Sequence, residues 1–206
     1  MSGEPTQPPE TRETNWKPMT LALACAAVLS GVMAFLPQEY RPWNLSAIGA
    51  LGLFTAARLG LWQAIAFTVM SLALKDFAIY TTYHWHPQPL SWLAFVGYIA
   101  LGWWFLRRTE SPLVIGGVTL SAGLCFFLIT NFLSWVNQAQ PYGYSLEGLL
   151  DCYVAGIPFH RGTLVGDVIF TAALFGAHAV LSRAYYPNER VVVAGEPVAV
   201  KIEDHS

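Results

Sequence analysis

Residues 141–171, PYGYSLEGLLDCYVAGIPFHRGTLVGDVIFT, change from a polar aromatic loop into an apolar helical pattern. Residues 146–153 have the apolar spacing of a short amphipathic helix at the outer surface of a bundle. Gly156 and Pro158 predict that this helix breaks, because glycine and proline weaken a helix interior most. The pattern then predicts a new apolar helix that begins near Gly162. We expect the rest of the chain to form the scaffold around this segment.

One acidic residue, Asp167, lies about five residues inside that last helix, roughly 7 Å past its start. An acid within a membrane costs on the order of 2–3 kcal/mol or more unless a partner satisfies it, so it is a functional hypothesis by default. The alternative is a structural role, in which Asp167 bonds to Arg161, to Asn131 or to backbone amides freed at the break.

The composition indicates an integral membrane protein. The chain has 206 residues, of which 54% are apolar and only 12% are charged. A soluble domain has about 25% charged residues, and a helix needs about 20 apolar residues to cross a bilayer. The sequence therefore predicts an all-α bundle of about six transmembrane helices with a short amphipathic outer helix. The predicted spans are residues 16–36, 45–59, 61–80, 90–106, 112–135 and 162–185.

The predicted domain organisation is a disordered tail (1–15), one six-helix transmembrane domain (16–185) and a C-terminal tail (186–206). Of the 11 lysines and arginines, Arg41, Lys75 and Arg161 fall on one side of such a bundle and the remaining eight on the other. Because cytoplasmic loops carry the excess of positive charge, both termini are predicted to be cytoplasmic.

This orientation gathers polar and aromatic residues at the outer ends of the spans. Such a one-sided cluster over a helical bundle is typical of an outward-facing pocket. Arg161 or His160 would orient an anionic part of a ligand or pair with Asp167. The predicted substrate-binding residues are Asn44, Asp76, Asn131, Trp135, His160, Arg161 and Asp167.

A metal site is a further hypothesis. His84 and His86 resemble a metal-binding pair, since imidazole suits zinc, copper or nickel. The prolines that follow favour an ordinary loop instead, and no third ligand is defined by the sequence. A metal-dependent enzyme would use His84, His86 and Asp76, but the chain has no GxSxG, HExxH or glycine-rich phosphate motif. We therefore predict a non-enzyme, with its cofactor, if any, unknown, and no basic patch for nucleic acid.

A row of small residues marks the first span. Ala22, Ala26 and Ser30 recur every four residues, and such rows let helices approach closely in lipid. The row indicates either packing within this chain or a docking face for another subunit.

Five segments between residues 41 and 183, namely 44–54, 74–76, 130–132, 149–159 and 166–171, resemble a family of uncharacterised bacterial six-span membrane proteins. That family is in turn similar to the substrate-binding S components of energy-coupling factor transporters.

The resemblance implies a six-helix bundle in a bacterial inner membrane that holds a small vitamin-like molecule or metal ion in an outward-facing pocket. It also implies that Ala22, Ala26 and Ser30 dock a membrane-embedded coupling subunit. Transport would require separate ATPase subunits, because this chain has no nucleotide motif. The alternative is a structural accessory subunit that packs, within the lipid, against a larger membrane complex through its first span.

Overall fold

The computed structural model describes residues 17–29, 45–84, 92–137 and 142–192. These residues are all-helical, and no strand occurs among them. The predicted calls on Ser30, Asn44, His86 and most of both tails lie outside the described residues. The helices are α1 (Pro18–Leu29), α2 (Ile48–Arg58), α3 (Leu61–Tyr83), α4 (Ala94–Phe105), α5 (Pro112–Val136) and α6 (Leu146–Ala184), followed by a 3₁₀ turn, Pro187–Glu189.

Helix α2 is the centre of the bundle. All of its residues are buried, and it packs against α1, α3, α4, α5 and α6. Small residues make this possible where α2 crosses α4. A Cβ at Gly102 would lie 2.6 Å from the Leu53 carbonyl oxygen, so only glycine allows the two backbones to approach this closely. In lipid, such close backbone packing supplies the van der Waals contact that drives helix association.

The predicted break at Gly156 and Pro158 is wrong. Helix α6 runs without interruption from Leu146 to Ala184, with Pro158 inside it, so the separate short outer helix is instead the first part of α6. Pro158 removes one backbone donor from the helix. Contacts with α5 hold the helix N-terminal to the proline: the Tyr153 hydroxyl donates to the Leu128 carbonyl at 3.0 Å. On its other side, the ring of His160 packs against α5.

Three of the helices are long and apolar enough to cross a membrane: Leu61–Thr82, Pro112–Val136 and Leu146–Ala184. Their length and composition are consistent with the predicted membrane protein. The described parts of α2 and α4 have 11 and 12 residues. At 1.5 Å per residue they extend about 17–18 Å, roughly half of a bilayer core of about 30 Å. Three of the six predicted spans therefore correspond to helices that are long and apolar enough to cross a membrane.

The long helices expose large apolar side chains to their surroundings. Trp62, Leu113 and Val154 are 79%, 88% and 65% exposed, one on each long helix. Soluble monomers rarely expose contiguous apolar surface of this kind, whereas lipid-facing helices require it. The Ala22 and Ala26 side chains of α1 are also exposed, so the described part of the predicted docking row faces away from the bundle.

The helix termini at one end of the bundle are joined by charged side chains, and we call this the capped end. Glu189 is buried and accepts hydrogen bonds from the Met19 and Thr20 amides, both at 2.9 Å, and from the Thr20 hydroxyl at 2.6 Å. These amides belong to the first turn of α1. A carboxylate at a helix N-terminus both satisfies free donors and complements the helix dipole.

Cationic side chains occupy the C-terminal ends of α2 and α4 at the same capped end. Lys17 donates to the Arg58 carbonyl at 2.7 Å, and Arg58 itself donates to the carbonyls of Leu106 at 2.7 Å and Thr109 at 3.0 Å. Positive groups are favourable at helix C-termini. The start of α1 and the ends of α2, α4 and α6 therefore meet at one end, as expected for helices that alternate in direction.

Candidate functional site

A cleft opens between α5 and α6, in the half of the bundle away from the capped end. Its volume is about 190 Å³. We call it the α5–α6 cleft. It is lined by Phe126, Phe127, Thr130, Asn131, Ser134, Gly156, Phe159, His160 and Thr163.

Asn131 lies on the wall of this cleft, as the sequence predicted for a pocket residue. Its Nδ2 donates to the Phe127 carbonyl at 2.8 Å, which uses one of its two amide hydrogens. Gly156 of α6 makes room for the amide, because a Cβ there would lie 2.8 Å from Asn131 Cγ and closer still to Oδ1. Gly156, which the sequence analysis interpreted as part of a helix break, therefore provides the space that the Asn131 amide occupies.

His160 also lines the cleft, and it packs against an aromatic neighbour on α5. Its ring lies 4.7 Å from the ring of Phe127, with 36° between the planes. The Nδ1 atom is buried and has no hydrogen-bond partner among the described residues. A buried polar atom without a partner loses the hydrogen bond that water would supply, so a bound molecule could satisfy this nitrogen.

Asp167 is 1% exposed and lies below the cleft, between α2, α4 and α6. The Tyr98 hydroxyl of α4 donates to its Oδ2. Its Oδ1 faces the first turn of α2, where a Cβ at Gly49 would collide with it, and has no hydrogen-bond partner among the described residues. The positive end of the α2 dipole is a favourable environment for this oxygen.

Glycines also let α6 approach the beginning of α2. A Cβ at Gly166 would lie 2.9 Å from the Ser46 carbonyl oxygen. Because Ser46 directly precedes α2, this approach brings the neighbouring Asp167 to the N-terminus of that helix. The buried carboxylate is therefore held by tertiary packing around α2.

The carboxylate and the cleft are neighbours across one glycine of α5. A Cβ at Gly123 would lie 3.7 Å from Asp167 Oδ2 and 3.9 Å from His160 Cε1. Asp167 itself does not line the cleft. A ligand that displaced His160 would therefore move a side chain that lies close to the Tyr98–Asp167 hydrogen bond.

The partners proposed for Asp167 from the sequence are wrong. Arg161 is exposed and Asn131 bonds within its own helix, so neither satisfies the carboxylate. The observed donor is Tyr98, more than 60 residues away in the chain. The continuous α6 also leaves no helix break at 156–158 whose amides could pair with the acid.

Asp76 is satisfied at another place in the bundle. Its Oδ2 accepts from the Trp92 indole at 2.9 Å, and its Oδ1 pairs with Lys75 at 2.9 Å. Asp76 is not among the residues that line the α5–α6 cleft. These contacts connect α3 to the residues that precede α4.

Trp135 joins α5 to the segment that precedes α6. Its indole donates to the Gly143 carbonyl at 3.1 Å, and the Tyr144 hydroxyl donates to the Val136 carbonyl at 3.1 Å. Trp135 is not among the cleft residues. Its contacts hold the entrance to α6 beside the end of α5.

The metal hypothesis gains no ligand cluster from the structure. His84 is exposed at the end of α3, and no group of three histidine, cysteine or acidic residues lies close enough to hold a metal ion within the described ranges. His86 lies outside those ranges, so a metal pair of His84 and His86 stays a prediction.

The sequence reasoning missed Tyr98 and the aromatic wall of the cleft. Tyr98 carries the single hydroxyl of an apolar run, FVGYIALGWW (95–104), and this hydroxyl could have indicated a buried hydrogen-bond donor. Phe127 and Thr130 lie one turn or less from Asn131 on α5, so helical spacing from that residue could have identified them.

Comparison with known proteins identifies a family but no described relative. The model of a family of unknown function, DUF6580, matches residues 13–191. This confirms the predicted kinship with an uncharacterised family, and the further likeness to S components stays a prediction. No curated protein and no solved structure matches the chain at a significant level.

Proposed function

We propose that this chain, which belongs to the family of unknown function DUF6580, is a non-catalytic membrane protein that binds a small molecule or ion. The ligand occupies the α5–α6 cleft. In the larger assembly the chain is the substrate-binding subunit of an uptake transporter in a bacterial inner membrane, with its termini in the cytoplasm.

The observation that carries this proposal is the polar lining of the cleft. Thr130, Asn131 and Ser134 of α5 face His160 and Thr163 of α6 between two helices that are both apolar enough to cross a membrane. Polar groups within a membrane bundle are costly and mark substrate pathways. A cleft of about 190 Å³ gives such groups a ligand-sized space.

The proposed transport role requires partners. This chain has no nucleotide-binding motif, so ATPase subunits and a coupling membrane subunit would supply the energy. The exposed Ala22 and Ala26 of α1 support a docking face for the coupling subunit, because small residues permit close helix approach.

Native mass spectrometry of the gently purified protein tests the binding function. Asn131→Ala removes an amide from the cleft, and Asn137→Ala removes an exposed amide at the end of the same helix. We expect a small adduct on the wild type and on Asn137→Ala that is weakened on Asn131→Ala. A wild-type protein that carries no adduct, or an adduct equally retained by Asn131→Ala, would contradict a ligand site in this cleft.

The exposed row on α1 also favours a second function, that of a structural accessory subunit. In that case Ala22→Leu would disrupt a stoichiometric complex with other membrane proteins, whereas no small ligand would accompany the chain. Purification from native membranes, with and without the substitution, separates this role from ligand binding. Leu113→Ala on a lipid-facing position of α5 is the control, since it leaves α1 unchanged.

A further inference from the structure

We infer that the α5–α6 cleft takes an uncharged molecule built on a single aromatic or heteroaromatic ring with hydrogen-bonding groups at its edge. The inference rests on the proposed binding function and narrows its ligand to one chemical class. Four properties of the cleft lead to it: its volume, its aromatic walls, the hydrogen-bonding capacity of its polar groups and the absence of charge among its lining residues.

The volume of the cleft matches about one ring. A buried cavity of about 150 Å³ lined by apolar residues binds benzene. The cleft, at about 190 Å³, accommodates a six-membered ring with one or two small substituents. A nucleotide or a fused multi-ring cofactor would require a larger space, since pockets for drug-sized ligands begin at about 300 Å³.

The walls of the cleft offer flat surfaces for stacking. Phe127 and His160 already form a tilted ring pair, with 4.7 Å between centroids. Phe126 lines the cleft while it packs on Phe95 at 4.9 Å and on Tyr98 at 5.9 Å, so its ring is held by the core. Offset or edge-to-face contacts at such distances favour an aromatic guest beyond simple area burial.

Some polar groups of the cleft have donors or acceptors that their hydrogen bonds to the helix backbone do not use. The Thr130 hydroxyl donates to the Phe126 carbonyl at 2.8 Å, so its remaining role is that of an acceptor. Asn131 keeps one amide hydrogen, because the other is used by the Phe127 carbonyl. The Asn131 amide and the Thr130 hydroxyl thus provide a donor and an acceptor for the edge of a ring, and His160 places a further polar atom, its buried and unpartnered Nδ1, within a side chain that lines the cleft.

The lining residues carry no acidic side chain and no lysine or arginine. The neighbouring Asp167 is buried behind the cleft and bonded to Tyr98, so it is not presented to a guest. Arg161, the predicted anion-binding residue, is exposed and does not line the cleft. A charged guest would lose its hydration without gaining a counter-ion. An uncharged ring could make the same contacts with the cleft without that cost.

Isothermal titration calorimetry on the full-length protein in detergent tests the ligand class with matched probes. Nicotinamide is an uncharged heteroaromatic ring, nicotinate has nearly the same shape with a negative charge, and choline is a compact cation. We expect nicotinamide to bind with a dissociation constant below about 1 mM, and nicotinate and choline to bind at least about tenfold more weakly. Equal or tighter binding of either charged probe would overturn the inferred class.

Two serine variants on α5 locate the binding to the cleft. Ser134→Ala changes a lining residue. Ser121→Ala changes an exposed serine of the same helix, whose hydroxyl donates to the Gly117 carbonyl of that helix at 2.9 Å. We expect nicotinamide affinity to fall several-fold in Ser134→Ala and to be unchanged in Ser121→Ala. Equal affinities in both variants would place the ring elsewhere and would overturn the inference.

Failure of this inference is distinguishable from failure of the proposed function. A native adduct that is weakened by Asn131→Ala, together with no binding of nicotinamide, would retain a ligand site and reject the uncharged ring. The absence of any adduct and of binding by all three probes would reject both the site and its ligand class.

Discussion

Substitution of Gly49 by alanine tests the most crowded polar contact of the bundle. An added Cβ would lie 2.6 and 2.8 Å from two ring atoms of Tyr98, and closer still to Asp167 Oδ1. Real Cβ atoms essentially never make contacts under 3.0 Å. We expect α2 to move away from α4 and α6 and the Tyr98–Asp167 hydrogen bond to open.

The size of the effect follows from three contributions. Overpacking of a filled site costs about 1–3 kcal/mol, and loss of a buried hydrogen bond costs about 1–3 kcal/mol more. Alanine is favoured over glycine in a helix interior by about 1 kcal/mol, which offsets part of this. We therefore expect Gly49→Ala to lower the free energy of unfolding by about 3 kcal/mol, which corresponds to a fall of roughly 6–12 °C in Tm.

Thermal unfolding of the purified protein, followed by circular dichroism, measures this change. Gly117→Ala is the matched control, because no atom of the described residues lies within 4 Å of a Cβ at that exposed position of α5. It should leave Tm unchanged or raise it slightly. Equal Tm values for the two variants would refute the close approach of Asp167 and Tyr98 to α2.

A double-mutant cycle isolates the carboxylate contact. Asp167→Ala removes the oxygen that the new Cβ would meet, so the double variant with Gly49→Ala should be more stable than the sum of the single effects predicts. Residues in contact usually couple by about 0.5–3 kcal/mol. Strict additivity would show that the two positions do not touch.

Three further substitutions test other contacts. Gly156→Ala should weaken retention of the native adduct with little change in Tm, because the added Cβ displaces only the amide end of the Asn131 side chain. Gly176→Ala, where no atom of the described part of the chain lies within 4 Å of the added Cβ, is its control in native mass spectrometry. Glu189→Ala should destabilise the protein by about 1–3 kcal/mol and accelerate hydrogen exchange at the start of α1, whereas Asp151→Ala, at an exposed acid, should do neither. Arg183→Gln breaks the 2.6 Å ion pair with Glu110, in which the arginine side chain is 59% exposed and the glutamate side chain 16%. Because solvent screens the arginine, we expect the unfolding free energy to fall by no more than about 1 kcal/mol, and a greater loss would contradict our interpretation of the pair as weak.

The membrane helices were predictable where the apolar pattern is long. The predicted third and fifth spans, 61–80 and 112–135, agree with α3 and α5 within a few residues. Helix α6 was divided in two because local propensity assigns a large cost to Pro158. Packing against α5 on both sides of the proline outweighs that local preference, and the sequence pattern contains no measure of it.

Part of the candidate site was predictable, because polar residues stand out in an apolar sequence. Asn131 and His160 were selected as polar groups in apolar surroundings, and the structure brings both to the α5–α6 cleft. Asp76 and Trp135 were selected by the same criterion, yet their bonds connect other elements. A polar residue in an apolar run indicates that it has a partner. Its position along its own helix does not identify that partner, because the partner can lie on another helix.

The residues alone were enough to predict the helical class, the apolar character of the long helices and a buried acid at Asp167. Each of these depends on residue type and on spacing along one helix. The packing of the bundle, by contrast, establishes that α2 is its centre and that Tyr98 donates to one oxygen of the acid. It also decided that the cleft lies beside the acid, with Gly123 between them. These features depend on which helices cross at glycine positions, and such distances are set by the packing of residues far apart in the chain.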